Sequence, residues 1–370
     1  MRILFLNQYF PPDPAPTGVL LRELADALES DGHTVDFVAA RQDYRAGQRR
    51  GGRMLREAKA LATMLCDGLR RPRADIVISA SSPPCLLVAA TLIAAWHRAR
   101  SVHWAMDLYP EIAVALGEIR EGILSRIIGA IMGWSYRRAA KVVALDEDMA
   151  ERLRCYGVEP EVIRVWVFAP VLAQLAQAQS EPDAEWKWIY SGNLGRAHEW
   201  ETLLQAQAIL EKRGAPVRLV FQGGGPSRPA AQARAQQLGL RAVAWTEYVD
   251  EASLPDSLRR CRVLVVTQLP AARGLLWPSK LGLAMSLPRP LLWVGPSDSA
   301  IAGLLRTLPH AGIFAPGDAA GVADWLQSLR ANEGHMSSAQ IFDPGTYRQD
   351  AIATWQRLLR QLSTAVSDKS

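Results

Sequence analysis

At 370 residues the chain is longer than one hydrophobic core usually organises, so two domains are the expectation. With 49% hydrophobic and 21% charged residues it has the composition of a folded globular protein, and no run approaches the roughly 18 uncharged apolar residues of a spanning helix. The formal charge is only +5, and Cys66, Cys85, Cys155 and Cys261 lie far apart without a CxxC pair; this excludes a disulfide framework or zinc module and fits a reducing, cytoplasmic setting.

The opening apolar run RILFLNQYF stops at Pro11-Pro12 and reads as a buried first strand rather than a leader. Further strands are expected at Thr34–Ala39, Asp75–Ser79, Ser101–Ala105, Lys141–Leu145 and Val162–Trp166, with helical patterns such as Gly18–Glu29 and Pro84–Arg98 between them. Continuous apolar strands alternating with helices predict a doubly wound parallel sheet with ligands at its carboxyl edge. Residues 169–184, with Pro170, Pro182 and the polar stretch AQLAQAQSEPDAE, read as a linker. A second series follows at Trp186–Tyr190, Pro216–Phe221, Ala242–Thr246, Arg262–Thr267 and Pro290–Val294. The reading is thus α/β, with a Rossmann-like lobe over 1–168, a second over 185–345, and a last helix in 346–370 packing back on the first lobe. Two such sheets are expected to face one another across a cleft.

Nine arginines and one lysine lie between Arg41 and Arg73 against three acidic residues. This stretch suits an anionic lipid surface or a phosphorylated substrate, or is a solvated helix face; no nucleic-acid module accompanies it. Two segments combine apolar residues with basic ends, Met54–Arg71 and GILSRIIGAIMGWSYRRAAK. Each is a candidate for an anionic membrane interface, with an ordinary core helix as the alternative.

Loops at strand ends carry the candidate chemistry. After the first strand, Thr17-Gly18 opens a helix, and its free N–H groups attract anions; a tight turn explains the glycine equally well. GxGxxG is absent, against an ordinary dinucleotide site. In the second half SGNLGRA follows a strand, with Gly192, Asn193, Gly195 and Arg196, a set suited to a diphosphate neutralised without metal. Gly223-Gly224-Gly225 in VFQGGGPS leaves no side chain between backbone and ligand, unless it is a structural bulge. In LLWPSKLGLAMS, Pro278, Ser279 and Lys280 set a hydroxyl and an ammonium at a helix start, where lysine opposes the helix dipole unless an anion binds.

In the first half SVHWAM ends in DLYPE. Asp107, at a strand's carboxyl end among apolar neighbours, is placed to act as a general base with a raised pKa, or alternatively to cap the next helix. His103 is expected to be packed. Asp146-Glu147-Asp148 has D-x-D spacing but stands where acidic residues cap a helix, so no metal is expected.

Together QYFPPDPAPTG, WAMDLYPEIAVALG, SYRRAAKVVALDEDMAERL, YSGNLGRAHEWETLL, FQGGGP and WPSKLGLAM resemble bacterial glycosyltransferase family 4, notably the WbuB-like sugar transferases of O-antigen, capsule and exopolysaccharide synthesis. The resemblance implies a GT-B fold, a nucleotide-sugar donor, UDP-linked, held mainly by the C-terminal lobe, and metal-independent transfer with retention. It implies that Gly18, Asn193, Gly195, Arg196, Gly224, Ser279 and Lys280 border the donor phosphates, and that the backbone at Tyr248 and Val249 holds the base. Asp107 takes the polar catalytic place, with Glu111 on the acceptor side; the acceptor is a polyprenyl-diphosphate-linked or other saccharide at the inner face of the membrane. Three positions depart from the pattern: Leu283 where relatives carry a ribose-binding glutamate, Pro288 where glycine is usual, and WVFAP where the first lobe commonly closes with a PNW-like segment. A non-catalytic subunit that binds nucleotide or a partner transferase is the alternative, and a nucleotide-sugar epimerase a third reading.

Overall fold

The computed structural model describes residues 1–11, 15–40, 53–177, 180–332 and 342–367. The chain divides into two compact units: residues 1–168 with 274–277 and 346–370, and residues 169–273 with 278–345. In chain order the first unit holds β1 (Arg2–Leu6), α1 (Pro16–Ser30), β2 (Thr34–Val38), α2 (Arg53–Arg70), β3 (Ile76–Ser79), α3 (Leu86–His97) and β4 (Arg100–Trp104). It continues with α4 (Glu111–Ala115), α5 (Ile123–Arg138), β5 (Lys141–Ala144), α6 (Glu147–Arg154) and the short β6 (Glu161–Val162). Its sheet is wholly parallel in the order β2-β1-β3-β4-β5-β6.

The second unit runs α7 (Ala169–Gln177), β7 (Trp186–Ser191), α8 (Glu201–Lys212), β8 (Val217–Gln222), α9 (Arg228–Gln237), β9 (Val243–Thr246), α10 (Leu254–Arg259) and β10 (Val263–Thr267). Then come α11 (Lys280–Met285), β11 (Leu291–Val294), α12 (Ala300–Leu305), β12 (Gly312–Phe314) and α13 (Ala319–Ala331). The strand order is β12-β11-β10-β7-β8-β9, again all parallel. The doubly wound α/β reading therefore holds for both halves.

Burial explains the sequence pattern. β3 and β10 are buried at every residue, as strands covered on both faces must be. In α1, Leu20, Leu21, Leu24 and Leu28 face the sheet, while Arg22 turns outward to Asp26 and Glu29. The second core is rich in aromatics: Trp186, Trp188, Tyr190 and Phe221 pack with Leu203, Leu204 and Leu326.

Two features differ from the sequence expectations, and a third decides between two readings the sequence left open. The supposed linker contains a helix, α7, because VLAQLAQ has good helix formers and Pro170 sits in its first turn, where proline is tolerated. β12 was not foreseen, being only three residues long and containing a glycine whose missing side chain lets Trp325 pack on the strand. Finally, α2 turns one apolar face inward: Ala60 and Met64 are buried, and Leu61, Leu65 and Leu69 pack beside them against Val77 and Ile93, while Leu55 near its start is exposed. Met54–Arg71 is thus an ordinary core helix. Most of the basic stretch before it, residues 41–52, lies outside the described residues.

The last helix, α14 (Pro344–Ser367), belongs to the first unit. Its Trp355 is fully buried against Trp104, at 4.8 Å between ring centroids. Its Arg348 donates to Glu23 of α1 at 2.9 Å, and the same carboxylate oxygen accepts from Trp166 at 2.8 Å.

Candidate functional site

In the second unit the sheet reverses its winding between β7 and β10, and the carboxyl ends beside such a switch point are where open α/β sheets hold ligands. The loop after β7 is SGNLGRA, and it is laced to the glycine loop after β8. Gly192 donates its N–H to Gln222 at 2.8 Å, Leu194 donates to Gly224 at 2.7 Å, and Ser227 donates back to Leu194 at 3.0 Å. The approach is so close that side chains are excluded. A Cβ on Gly225, which has φ +126°, would stand 2.5 Å from the Leu194 carbonyl oxygen; one on Gly223 would stand 2.6 Å from that of Gly192. The Tyr248 ring, exposed to solvent, covers Gly223 and Gly224, and Val249 beside it is also exposed.

Lys280 reaches this pair of loops from α11. Its Nζ lies 3.5 Å above the Tyr190 ring, and a Cβ on Gly192 would be 3.5 Å from its Cε and Nζ. The ammonium is shielded from water and has no hydrogen-bond partner. Burial therefore drives its pKa well below that of a free lysine, and only the π face of Tyr190 offers attraction. The helix begins at Lys280 itself, two residues after Pro278, with exposed Ser279 at the cap. Asn193 and Arg196 are exposed, and no carboxylate among the described residues pairs with Arg196. Gly195 lies between them, in contact with His198 and Asn193.

His198 follows the same loop, ahead of α8. Its Nδ1–H donates to the Thr267 carbonyl at 2.9 Å, at the end of β10, which leaves Nε2 as an acceptor. Burial, then the nearby Lys280 charge, holds its pKa down to about 3, so it stays neutral. The bond spans the two strands at the switch point, a pairing no local pattern announces.

In the first unit Asp107 follows β4 and pairs with Leu276 in an isolated antiparallel bridge, the segment 274–277 lying along this edge. The Asp107 N–H donates to Ser81 Oγ at 3.2 Å, as does that of Met106 at 2.9 Å. Its carboxylate has no ion pair among the described residues, and burial raises its pKa from 3.8 to about 6. It does not cap α4, whose N-cap is Pro110. Glu111, the first residue of α4, accepts a hydrogen bond from the Tyr156 phenol, while its second oxygen is buried without a partner. Gly18 is buried in α1 with its N–H given to Ala15, and the backbone of Tyr9 and Phe10 fills the space where a side chain would stand. His103 is packed as expected, bonded to Ser79 at 2.9 Å and held down to about 3 by burial. Asp146 caps α6, accepting from Met149 N–H at 2.7 Å. Among the described residues no group of three His, Cys, Asp or Glu is arranged to hold a metal ion.

The geometry thus brings Gly192, Gly224, Lys280, Tyr248 and the Asn193–Arg196 loop together in the second unit. Asp107 and Glu111 stand in the first, on one connection but with separate surroundings.

Residues 17–167 match the Glycosyltransferase Family 4 model, and residues 186–332 match that of Glycosyl transferases group 1. The chain is 24% identical over 250 residues to the probable glycosyltransferase WbjE of Pseudomonas aeruginosa, a match spanning 64% of this chain and 61% of that protein. Among solved structures it is similar to the sucrose-phosphate synthase of Thermosynechococcus elongatus, at TM-score 0.70 and 15% identity over 99% of this chain and 100% of the other. It is also similar to HepE of Anabaena, solved with UDP and glucose, at TM-score 0.66 and 15% identity over 96% and 100%. These likenesses show the GT-B fold.

Proposed function

For this chain, which belongs to glycosyltransferase family 4 in its first half and to the group 1 glycosyl transferases in its second, we propose transfer of a sugar from a UDP-linked donor, with retention and without metal, onto a lipid-linked or other saccharide acceptor in surface-polysaccharide synthesis. The observation that carries this reading is Lys280: a desolvated ammonium without a hydrogen-bond partner, set against a glycine loop. Such a charge is costly unless an anion completes it. A diphosphate does so, and the interaction strengthens as negative charge develops on the departing nucleotide. Arg196, on the adjoining loop, adds a second positive group, which makes a metal unnecessary for that task. UDP and glucose in the HepE structure support a UDP-sugar as the donor class.

Asp107 supplies the proton acceptor for the acceptor hydroxyl. A pKa of about 6 leaves it ionised at neutral pH yet basic enough to take a proton. Glu111 acts on the acceptor side through its unpartnered oxygen.

The test supplies the purified chain with a panel of UDP-sugars and a polyprenyl-diphosphate-sugar acceptor, with and without EDTA, and follows UDP release and product. The reading requires EDTA-insensitive transfer with the anomeric configuration kept. UDP binding with no product from any acceptor would instead indicate a nucleotide-binding subunit. Turnover by Lys280→Ala at the wild-type rate would remove the ammonium from the mechanism.

A further inference from the structure

Surface helices normally turn polar residues outward. α5 does the reverse. Ser125, Met132, Gly133, Ser135 and Tyr136 are its buried residues, with Gly133 so close to Tyr156 that a Cβ would stand 2.6 Å from that ring. Ile123, Leu124, Ile127, Ile131 and Trp134 face solvent, Ile123 at 79% exposure. The spacing of Ile123, Ile127, Ile131 and Trp134 makes a stripe along the whole helix, about 24 Å for its length. On α3, packed beside α5, Leu92 and Trp96 are exposed as well, Trp96 at 71%. These two helices hold seven of the ten large exposed hydrophobic residues among those described, so the pattern is a patch rather than scatter.

The charge on the two helices has one sign, the exposed carboxylates of Glu118 and Glu121 standing in the turn before α5. Neither helix contains an acidic residue, and Arg98, Arg126, Arg137 and Arg138 are all exposed. The Arg138 guanidinium lies over the Trp134 ring, 4.7 Å from its centroid, so the aromatic and cationic groups occupy one spot. A second copy of the chain seated face to face would set these arginines against one another. A bilayer with anionic headgroups answers both features, receiving the apolar stripe and pairing the arginines, with tryptophan at the interface.

We propose that the outer face of α5 with Leu92 and Trp96 of α3 docks the first lobe on an anionic membrane surface. The surface is independent of the transfer reading. Flotation without sugar transfer would count against that reading alone, and transfer without flotation against this one.

The experiment is flotation of the full chain with phosphatidylcholine vesicles, with and without phosphatidylglycerol. Binding should require the anionic lipid and weaken with salt. Ile127→Glu/Ile131→Glu should lower the bound fraction at least about tenfold, one charge at such an interface costing more than about 1.4 kcal/mol, while melting temperature and UDP binding stay as in the wild type. Trp96→Ser reads the same face from the neighbouring helix and should also weaken binding, whether or not the double variant folds. No flotation at low salt, or flotation of the Ile127/Ile131 and Trp96 variants equal to wild type, would overturn the proposal. So would a wild-type dimer that floats with no vesicle and becomes monomeric in Ile127→Glu/Ile131→Glu, which would assign the face to a second copy.

Discussion

Among the described residues Asp107, just past the end of β4, and Lys280, at the start of α11, are two desolvated charges, one in each lobe, and they are built in opposite senses. Asp107 has lost water without gaining a cation, and its carboxyl rises to about 6. Lys280 has lost water without gaining an anion; its pKa falls well below the usual value, with an aromatic face as its neighbour. Burial works against the charged form in both. A carboxylate titrating near neutrality is suited to exchanging a proton, whereas an ammonium facing a glycine-walled pair of loops is suited to a ligand that brings negative charge with it.

Replacing the carboxylate separates its two roles. Asp107→Asn is expected to lower kcat about 10²–10⁴-fold, the range of general-base contributions, as measured by initial rates of UDP release. The same variant should be more stable at pH 7. The native state keeps its proton between 3.8 and about 6 while the unfolded chain does not, so this contribution is full below 3.8 and is lost as pH rises through 6. Removing the charge restores about 3 kcal/mol above pH 6, seen as a higher melting temperature that vanishes near pH 4. If Asp107→Asn neither slows transfer nor raises that temperature, the contrast fails on its first member.

Lys280→Met tests the second member. A loss of about 10²–10³-fold in kcat/KM is expected, with the unliganded protein unharmed or stabilised, since an uncompensated buried charge is gone. Calorimetry in the absence of nucleotide checks the second half of that statement. Gly225→Ala tests the loops rather than the charge: at φ +126°, with the Leu194 carbonyl 2.5 Å from the new methyl, a loss of about 2–3 kcal/mol is expected in denaturant titrations. Arg196→Gln should have the smallest effect, about tenfold in donor KM, because its guanidinium is exposed and screened. An Arg196 effect as large as that of Lys280 would blur the distinction between buried and exposed cations. The wild-type rate should fall about tenfold per pH unit below about 6, as Asp107 takes up its proton.

Sequence alone determined what depends on local pattern. Continuous apolar runs located ten of the twelve strands among the described residues within a residue or two, while the run placed at Val162–Trp166 forms only the two-residue β6, which starts one position earlier. Glycines 223–225 could be read as a close approach, and Asp146 as a cap, because each depends on neighbours in the chain. What lies nearby in space but not in sequence was decided by the tertiary structure. His198 takes its tautomer from Thr267, 69 residues away, and Gly274–Trp277 leaves the second half of the chain to lie along Asp107. Gly18 could be read as an anion-loop glycine or as a tight turn, and only the fold shows its N–H given to Ala15 and the Tyr9 and Phe10 backbone packed where a side chain would stand. The same limit separates α2 from α5. Both are apolar helices with basic ends, equal candidates as sequences; α2 packs into the core and α5 shows its apolar stripe to solvent. Periodicity states that a helix has an apolar face, but only the packing of neighbouring elements decides whether that face finds protein or is left for something else.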